Sequence, residues 1–376
     1  MKQRILLVEP DYGNTYPPLG LMKISTWHKD KGDFVDFLKL PTQGKSLEDG
    51  YDLIYITSLF TYHANEVIQA TQYCRAQYPQ AEIKVGGIMA TLLPNYIKEK
   101  TGISPHEGLL PGAEDCRPDY TLSPDLRCSI TFTTRGCKRA CKFCAVKKHE
   151  PSFFVKDNWE NDIDLTKNLI IFWDNNWFFS PNFFKDIEKL KKLNMPFDFN
   201  QGLDCRLFDS EKAEALSQTR MRLLRFAFDN RLEEGYIQDA VKLAKKHGFK
   251  DIRVYVLYNS PDENDTLEYF FYRINQINKL GALSYPMRFR PIDSTQARYI
   301  SPKWDTALLR GLKLSLMFYY TKGMITRSRK SFILMYGNNE REFKEKLYER
   351  YDYDRQLNKL KSKAGHKVGS RVPSLL

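Results

Sequence analysis

SITFTTRGCKRACKFCAV, residues 129–146, decides how the rest of the chain is read. All of SITFTT (129–134) except Ser129 is β-branched or aromatic, which predicts a strand. Directly behind it stand Cys137, Cys141 and Cys144, a C-x3-C-x2-C spacing. Thiolates are soft ligands, and three so close together converge on one centre only if their loop wraps it. Lys138, Arg139 and Lys142 lie between them, which argues against ordinary buried thiols. Two metal sites fit the spacing. One is a structural zinc site with His149 as fourth ligand, C-x3-C-x2-C-x4-H. The other, favoured here, is an iron–sulfur cluster with three cysteine ligands and one iron left open. The seven cysteines (74, 116, 128, 137, 141, 144 and 205) are odd in number and clustered. They suit a reduced compartment, with the cytoplasm as the expectation, better than a disulfide framework.

Downstream, five more strands are predicted: LIIFWD (169–174), FDFNQG (197–202), LLRFAFD (223–229), IRVYVLY (252–258) and YPMRFRPID (285–293). Helix-compatible stretches at 180–193, 233–248 and 266–281 separate them. Six βα units of this length predict parallel strands with crossover helices, closed into a complete or partial barrel. In such folds the chemistry sits in loops at the C-terminal ends of strands, where the cysteines fall.

Upstream, RILLV (4–8), DFVDFL (33–38), LIYITS (53–58) and EIKVGG (82–87) alternate with helical segments near 19–31 and 63–77. That predicts a small doubly wound, Rossmann-like α/β domain. Turn-rich residues 103–126 read as a link. The expected parts are thus 1–124, 125–298 and 299–376. With 42% hydrophobic and 14% aromatic residues the chain is expected to fold. No apolar run approaches the ~20 residues of a membrane span, so no membrane partner is expected. MKQRILLVEP reads as a first strand, not a signal peptide.

The net charge is +12, of which residues 301–376 supply +10, from 17 Lys and Arg against 7 Asp and Glu. Residues 339–363 read as a helix with apolar or aromatic positions at 343, 347, 351, 357 and 360 and a charged opposite face. Basic and acidic residues alternate along 340–350, as on a solvated helix packed through its other face. KLKSKAGHKVGSR (359–371) has no acid and reads as a flexible tail, of a kind that can hold a nucleic acid.

The cysteine motif, with Phe143 before its last cysteine and placed after the first of six strands, resembles the signature of the radical S-adenosylmethionine (SAM) superfamily. The resemblance implies a partial (β/α)6 barrel and a [4Fe–4S] cluster on Cys137, Cys141 and Cys144. It also implies that the open iron binds the amino and carboxylate groups of SAM. Reductive cleavage of SAM, fed by an electron donor such as flavodoxin or ferredoxin, would give a 5′-deoxyadenosyl radical that abstracts a substrate hydrogen. WDNNWF (173–178) resembles the acidic-amide motif that the cobalamin-domain subset carries near the SAM amino group, with Asp174 and Asn175 matching. For Asp174, ligand contact and capping stand side by side. NQGLDCR (200–206) offers Gln201, Asp204 and Arg206 to the SAM carboxylate or ribose. Asp229 and Asp293 read as caps, and Cys205 as a small buried hydrophobe. The fifth strand ends in VLYNSPDE (256–263), without the glycine motif that many relatives place against the adenine.

Residues 1–124 resemble the cobalamin-binding domain fused to many such enzymes, through ILLVEPDY and YPPLGLMKIS (5–12, 16–25), VGGIMATLLP (85–94) and PGAE (111–114). The family's lower-ligand loop, Asp-x-His-x-x-Gly, has no counterpart around histidines 28, 63, 106, 149, 247 or 366. Cobalamin is therefore possible but not favoured, and Gly86–Gly87 face a phosphate or make a turn. The leading expectation is a radical SAM enzyme acting on a small molecule, peptide or nucleic acid. A cobalamin-dependent radical SAM methyltransferase and a zinc-stabilised nucleic-acid-binding protein are the alternatives.

Overall fold

The computed structural model describes residues 2–13, 17–41, 50–317 and 323–363. The chain forms two compact units. One comprises Met1–Asp186, Met195–Gln201 and Pro291–Ala297, the other Ile187–Asn194, Gly202–Arg290 and Arg298–Leu376.

The N-terminal alternation folds as a parallel sheet. Its elements are β1 (Arg4–Glu9), α1 (Leu19–Asp30), β2 (Phe34–Lys39), β3 (Leu53–Ser58), α2 (Ala64–Gln77), β4 (Glu82–Gly87), α3 (Ile88–Leu92) and α4 (Pro94–Thr101), with strand order β2-β1-β3-β4. A strand such as RILLV has no polar side because both faces of a parallel sheet are covered. Ile5, Leu7, Leu53 and Tyr55 pack toward Leu21 of α1. Leu6, Val8, Ile54 and Ile56 pack toward Val67, Ala70 and Cys74 of α2 and Ile97 of α4. Each such buried side chain contributes about 1.5–3 kcal/mol.

The expected link, 103–126, is packed. Asp119 accepts hydrogen bonds from Ser25 Oγ and Lys29 Nζ of α1, each at 2.6 Å. Tyr120 is buried with Leu19, Met22, Cys128 and Ile130, and its hydroxyl accepts from Ile130 N at 2.9 Å. Turn residues reveal where the chain bends, not whether the bend is covered.

Six parallel strands follow as two three-stranded sheets, not as one continuous ladder. The first unit holds β5 (Ser129–Thr131), β6 (Thr134–Arg135), α5 (Val146–His149), β7 (Phe154–Val155), β8 (Ile170–Phe172) and β9 (Phe197–Phe199). Its sheet order is β5-β8-β9, while β6 and β7 form an antiparallel pair that the sequence did not suggest. The segment 129–134 breaks at residues 132–133, and the backbone amides of Thr133 and Thr134 turn to the Asp174 side chain instead of a neighbouring strand. Helix α6 (Phe183–Leu193) runs across the division of the chain between Asp186 and Ile187. The second unit holds α7 (Ser210–Ser217), β10 (Leu224–Ala227), α8 (Tyr236–Lys246), β11 (Ile252–Tyr258), α9 (Leu267–Lys279) and β12 (Leu283–Arg288), in sheet order β10-β11-β12. Pro286 is tolerated because β12 lies at the end of that ladder.

The chain ends in α10 (Thr306–Met317), α11 (Arg329–Tyr336) and α12 (Glu340–Lys363). Phe343 and Leu347 of α12 are fully buried, and the Phe343 ring lies 5.0 Å from Phe271 of α9, so this helix packs through its apolar face. The stripe stops there, since Leu357 and Leu360 are exposed. The acid-free stretch 359–371 lies, from residue 364 on, outside the described residues. Among the described residues no helix is long and apolar enough to cross a membrane.

Candidate active site: the cysteine loop and its buried support

Gly136 to Ala145 form a loop without helix or strand between β6 and α5. It enters at Gly136, whose φ of +72° and close approach matter, because a Cβ there would lie 2.2 Å from the Ser152 carbonyl oxygen. Cys137, Cys141 and Cys144 are half-buried, and none of the seven cysteines is in a disulfide. Arg139 N donates to Cys137 Sγ at 3.3 Å, and Cys144 N to the Cys141 carbonyl at 3.0 Å. The ammonium of Lys138 sits 4.9 Å from the Phe153 ring, and Arg139 lies 5.3 Å from Phe179, so the loop's cations rest on aromatic faces.

The thiols are not gathered on one point. Among the described residues no three Cys, His, Asp or Glu side chains are grouped to hold a metal ion. The donor set nonetheless suits a soft centre, and a loop without regular structure closes around one without breaking a helix or strand. The other cysteines differ in environment. Burial pushes Cys74 and Cys205 up to about 12, which keeps them as inert thiols. His149 Nδ1 lies 3.2 Å from the Thr91 hydroxyl of α3.

Asp174, expected to present its carboxylate to a ligand, is 1% exposed and turned to the loop's root. Its Oδ1 accepts from Thr133 Oγ1 at 2.5 Å, Thr134 N at 2.6 Å and Thr134 Oγ1 at 2.8 Å, and its Oδ2 from Thr133 N at 3.0 Å. These bonds end β5 and start β6. Burial nevertheless dominates over them and holds the carboxyl up at about 6.

A second carboxylate supports the loop from below. Glu150, directly after α5, receives Arg135 Nε at 3.1 Å and Nη2 at 2.6 Å, Gly136 N at 2.7 Å and Asn175 Nδ2 at 3.0 Å. Arg135 is 5% exposed and its Nη1 donates to Glu114 at 2.9 Å. Glu114 is also held by Lys23 of α1, at 3.0 Å, and burial pulls the Lys23 ammonium down. Lys23, Glu114, Arg135 and Glu150 thus form one chain of alternating charge, buried except at the half-buried Glu114, from the first helix to the entrance of the cysteine loop. Sequence reasoning missed it. PGAE stands out in the sequence as a piece resembling a cobalamin-binding domain and RGC as the start of the cysteine motif, and nothing in the spacing of four residues from four segments says that they meet.

No family model and no curated protein matches the sequence. Solved structures do. The radical SAM methyltransferase TsrM from Kitasatospora setae, solved with tryptophan substrate and a SAM analog, superposes with a TM-score of 0.61 at 13% identity, over 77% of this chain and 73% of that one. The chain has the radical SAM fold. The cobalamin-dependent SAM radical enzyme OxsB matches at a TM-score of 0.43 and 13% identity, over 95% of this chain and 56% of that one. The radical SAM enzyme HemN, coproporphyrinogen III oxidase from Escherichia coli, matches at 0.34 and 14%, over 47% and 48%.

Within this radical SAM fold the other sequence-predicted residues divide between the units. Asn175 joins the cysteine loop's support through Glu150, and Gln201 is exposed at the end of the first unit's sheet. Asp204 and Arg206 belong to the second unit and are spent on each other, with Arg206 Nε donating to Asp204 Oδ1 at 2.7 Å and Nη1 facing Glu233 at 3.4 Å. Asp204 also caps its own turn through Arg206 N at 3.2 Å. Asp229 is structural as well, accepting from Leu257 N at 2.8 Å. Gly87 makes a close approach, since a Cβ would stand 2.3 Å from the Ser58 carbonyl oxygen, and Ser58 Oγ donates to the Gly86 carbonyl. The N-terminal histidines are engaged: His28 with Asp33 at 2.7 Å and Tyr55 at 3.2 Å, His63 with Glu66 at 3.2 Å, His106 with the Leu109 carbonyl at 3.1 Å.

Proposed function

We infer that this chain is a radical SAM enzyme in which Cys137, Cys141 and Cys144 hold a [4Fe–4S] cluster. One observation carries the reading: a C-x3-C-x2-C loop stands behind the first strand of a parallel α/β fold similar to that of a radical SAM methyltransferase. When bound, the cluster supplies an electron to SAM and so releases a 5′-deoxyadenosyl radical. The chain's own residues anchor that loop. Asp174 fixes where β5 ends, Glu150 fixes the Gly136 amide, and Phe153 and Phe179 seat Lys138 and Arg139. Asn175 and Gln201 are the candidates to contact SAM, whereas Asp204 and Arg206 enter only if they exchange partners. The parts 1–124, 125–298 and 299–376 belong to this reading as cobalamin-binding-like domain, barrel and basic helical segment.

Seven cysteines without a disulfide support a reducing compartment such as the cytoplasm, where a flavodoxin or ferredoxin supplies the electron. Methyl transfer is the second reading, favoured by the similarity to TsrM. In that reading methyl transfer is cobalamin-dependent, and with the N-terminal histidines held by other partners the cobalamin would be bound without a histidine lower ligand. The test is turnover of SAM alone. The reconstituted, dithionite-reduced chain is expected to form 5′-deoxyadenosine and methionine slowly without substrate, as chromatography of the products will show. Absence of 5′-deoxyadenosine from a protein with a full cluster contradicts the proposal.

A further inference from the structure

Helices α10 and α12 of the basic C-terminal segment enclose a groove of about 550 Å³, lined by Thr306, Arg310, Tyr351, Asp354, Arg355, Asn358 and Lys359. Arg310 is fixed in it by Asp354, through Nε and Nη2 each at 3.0 Å. Lys313 follows one turn later on the same face of α10, and its charge lies within the field of Arg310, Arg288 and Arg290. Arg288 and Arg290 stand exposed at the C-terminal end of β12, and Arg288 Nη2 is anchored on the Tyr299 carbonyl at 2.8 Å. Burial and then these three cations hold the Lys313 ammonium below its ordinary value, and burial with Arg290 does the same to Arg288. Three of the lining residues, Arg310, Arg355 and Lys359, are therefore cations against one lining acid, Asp354, and that acid is already bound to Arg310. Like charges this close repel in the free chain, and a polyanion relieves the repulsion while releasing its own counterions. The half-buried Tyr351 in the groove adds a ring face on which a base stacks.

We propose that the α10–α12 groove and the arginines at the end of β12 bind the phosphodiester chain of a nucleic acid. This makes a nucleic acid the substrate class of the proposed enzyme and to that extent rests on that reading. Binding itself needs no cluster, so it is measured on the full chain without iron, where it fails or holds independently of the radical chemistry.

The probe is a fluorescein-labelled single-stranded RNA of about 20 nucleotides, long enough to exceed one binding site of this size. Fluorescence anisotropy at about 50 mM and 200 mM salt is expected to give micromolar or tighter binding that weakens tenfold or more at the higher salt. Lys313→Glu with Arg355→Glu, both at exposed positions, is expected to weaken low-salt binding at least tenfold and to lower the salt slope by about two. If that variant melts earlier than the wild type, Lys313→Gln with Arg355→Gln is measured in its place. RNA binding unchanged in the variants, or absent at low salt, overturns the proposal. So does full displacement of the RNA by inorganic pyrophosphate at equal concentration, which would mark a site for small phosphates.

Discussion

Asp174→Ala is expected to destabilise the protein by about 3–5 kcal/mol and to leave it unable to retain iron. The carboxylate accepts two backbone amides and two hydroxyls, all from Thr133 and Thr134, at a 1% exposed position. The hydroxyls can turn elsewhere, but the amides cannot. Each buried amide left without an acceptor costs about 1–3 kcal/mol, before the packing loss. Urea unfolding of wild type and variant measures this, and a loss below about 1 kcal/mol would show that the site is wet enough for water to replace the carboxylate. The wild type also carries a pH signature. Its folded carboxyl sits at about 6, above the unfolded value near 4. The folded chain therefore holds the extra proton between those values, so this group's contribution is greatest at low pH and falls as pH rises through 6. Asp174→Asn removes that slope.

Glu150→Ala is the second large effect, again about 3–5 kcal/mol, because it strands a buried guanidinium. Arg135 would keep Glu114 but lose its bidentate partner, and the Gly136 amide would lose its acceptor at the entrance to the cysteine loop. Glu150→Gln keeps an acceptor for that amide and is expected to cost less than half as much. The readouts are unfolding free energy and iron bound per chain after reconstitution. Equal losses for Ala and Gln would place the whole effect in the carboxylate charge facing Arg135 and none in the acceptor that Gln keeps for the Gly136 amide.

The sequence made the N-terminal sheet legible almost residue by residue, since LIYITS is a nearly continuous apolar or β-branched run, EIKV alternates charged with β-branched residues, and both segments fold as written. The barrel strands were legible in order but not in length. In LIIFWD and LLRFAFD the last residues look like strand, yet Asp174 and Asp229 leave the ladder to bind the backbone of a neighbour. An aspartate at a strand end looks the same whether it faces a ligand or ties down a loop, and only burial distinguishes the two. The cysteines were the plainest signal because their spacing is local. The Lys23–Glu114–Arg135–Glu150 chain was invisible because its four members lie in four separate segments, each unremarkable alone.

The central claim is most directly tested by anaerobic reconstitution with iron and sulfide, followed by iron analysis and electron paramagnetic resonance of the dithionite-reduced chain. The reconstituted chain is expected to hold about four irons and to give a reduced-cluster signal that changes when SAM is added. Cys137→Ala, Cys141→Ala and Cys144→Ala should each abolish both, and Cys74→Ala, whose thiol is buried in the N-terminal core, neither. Stoichiometric zinc without iron in the wild type, or a full cluster in the triple cysteine variant, would contradict it.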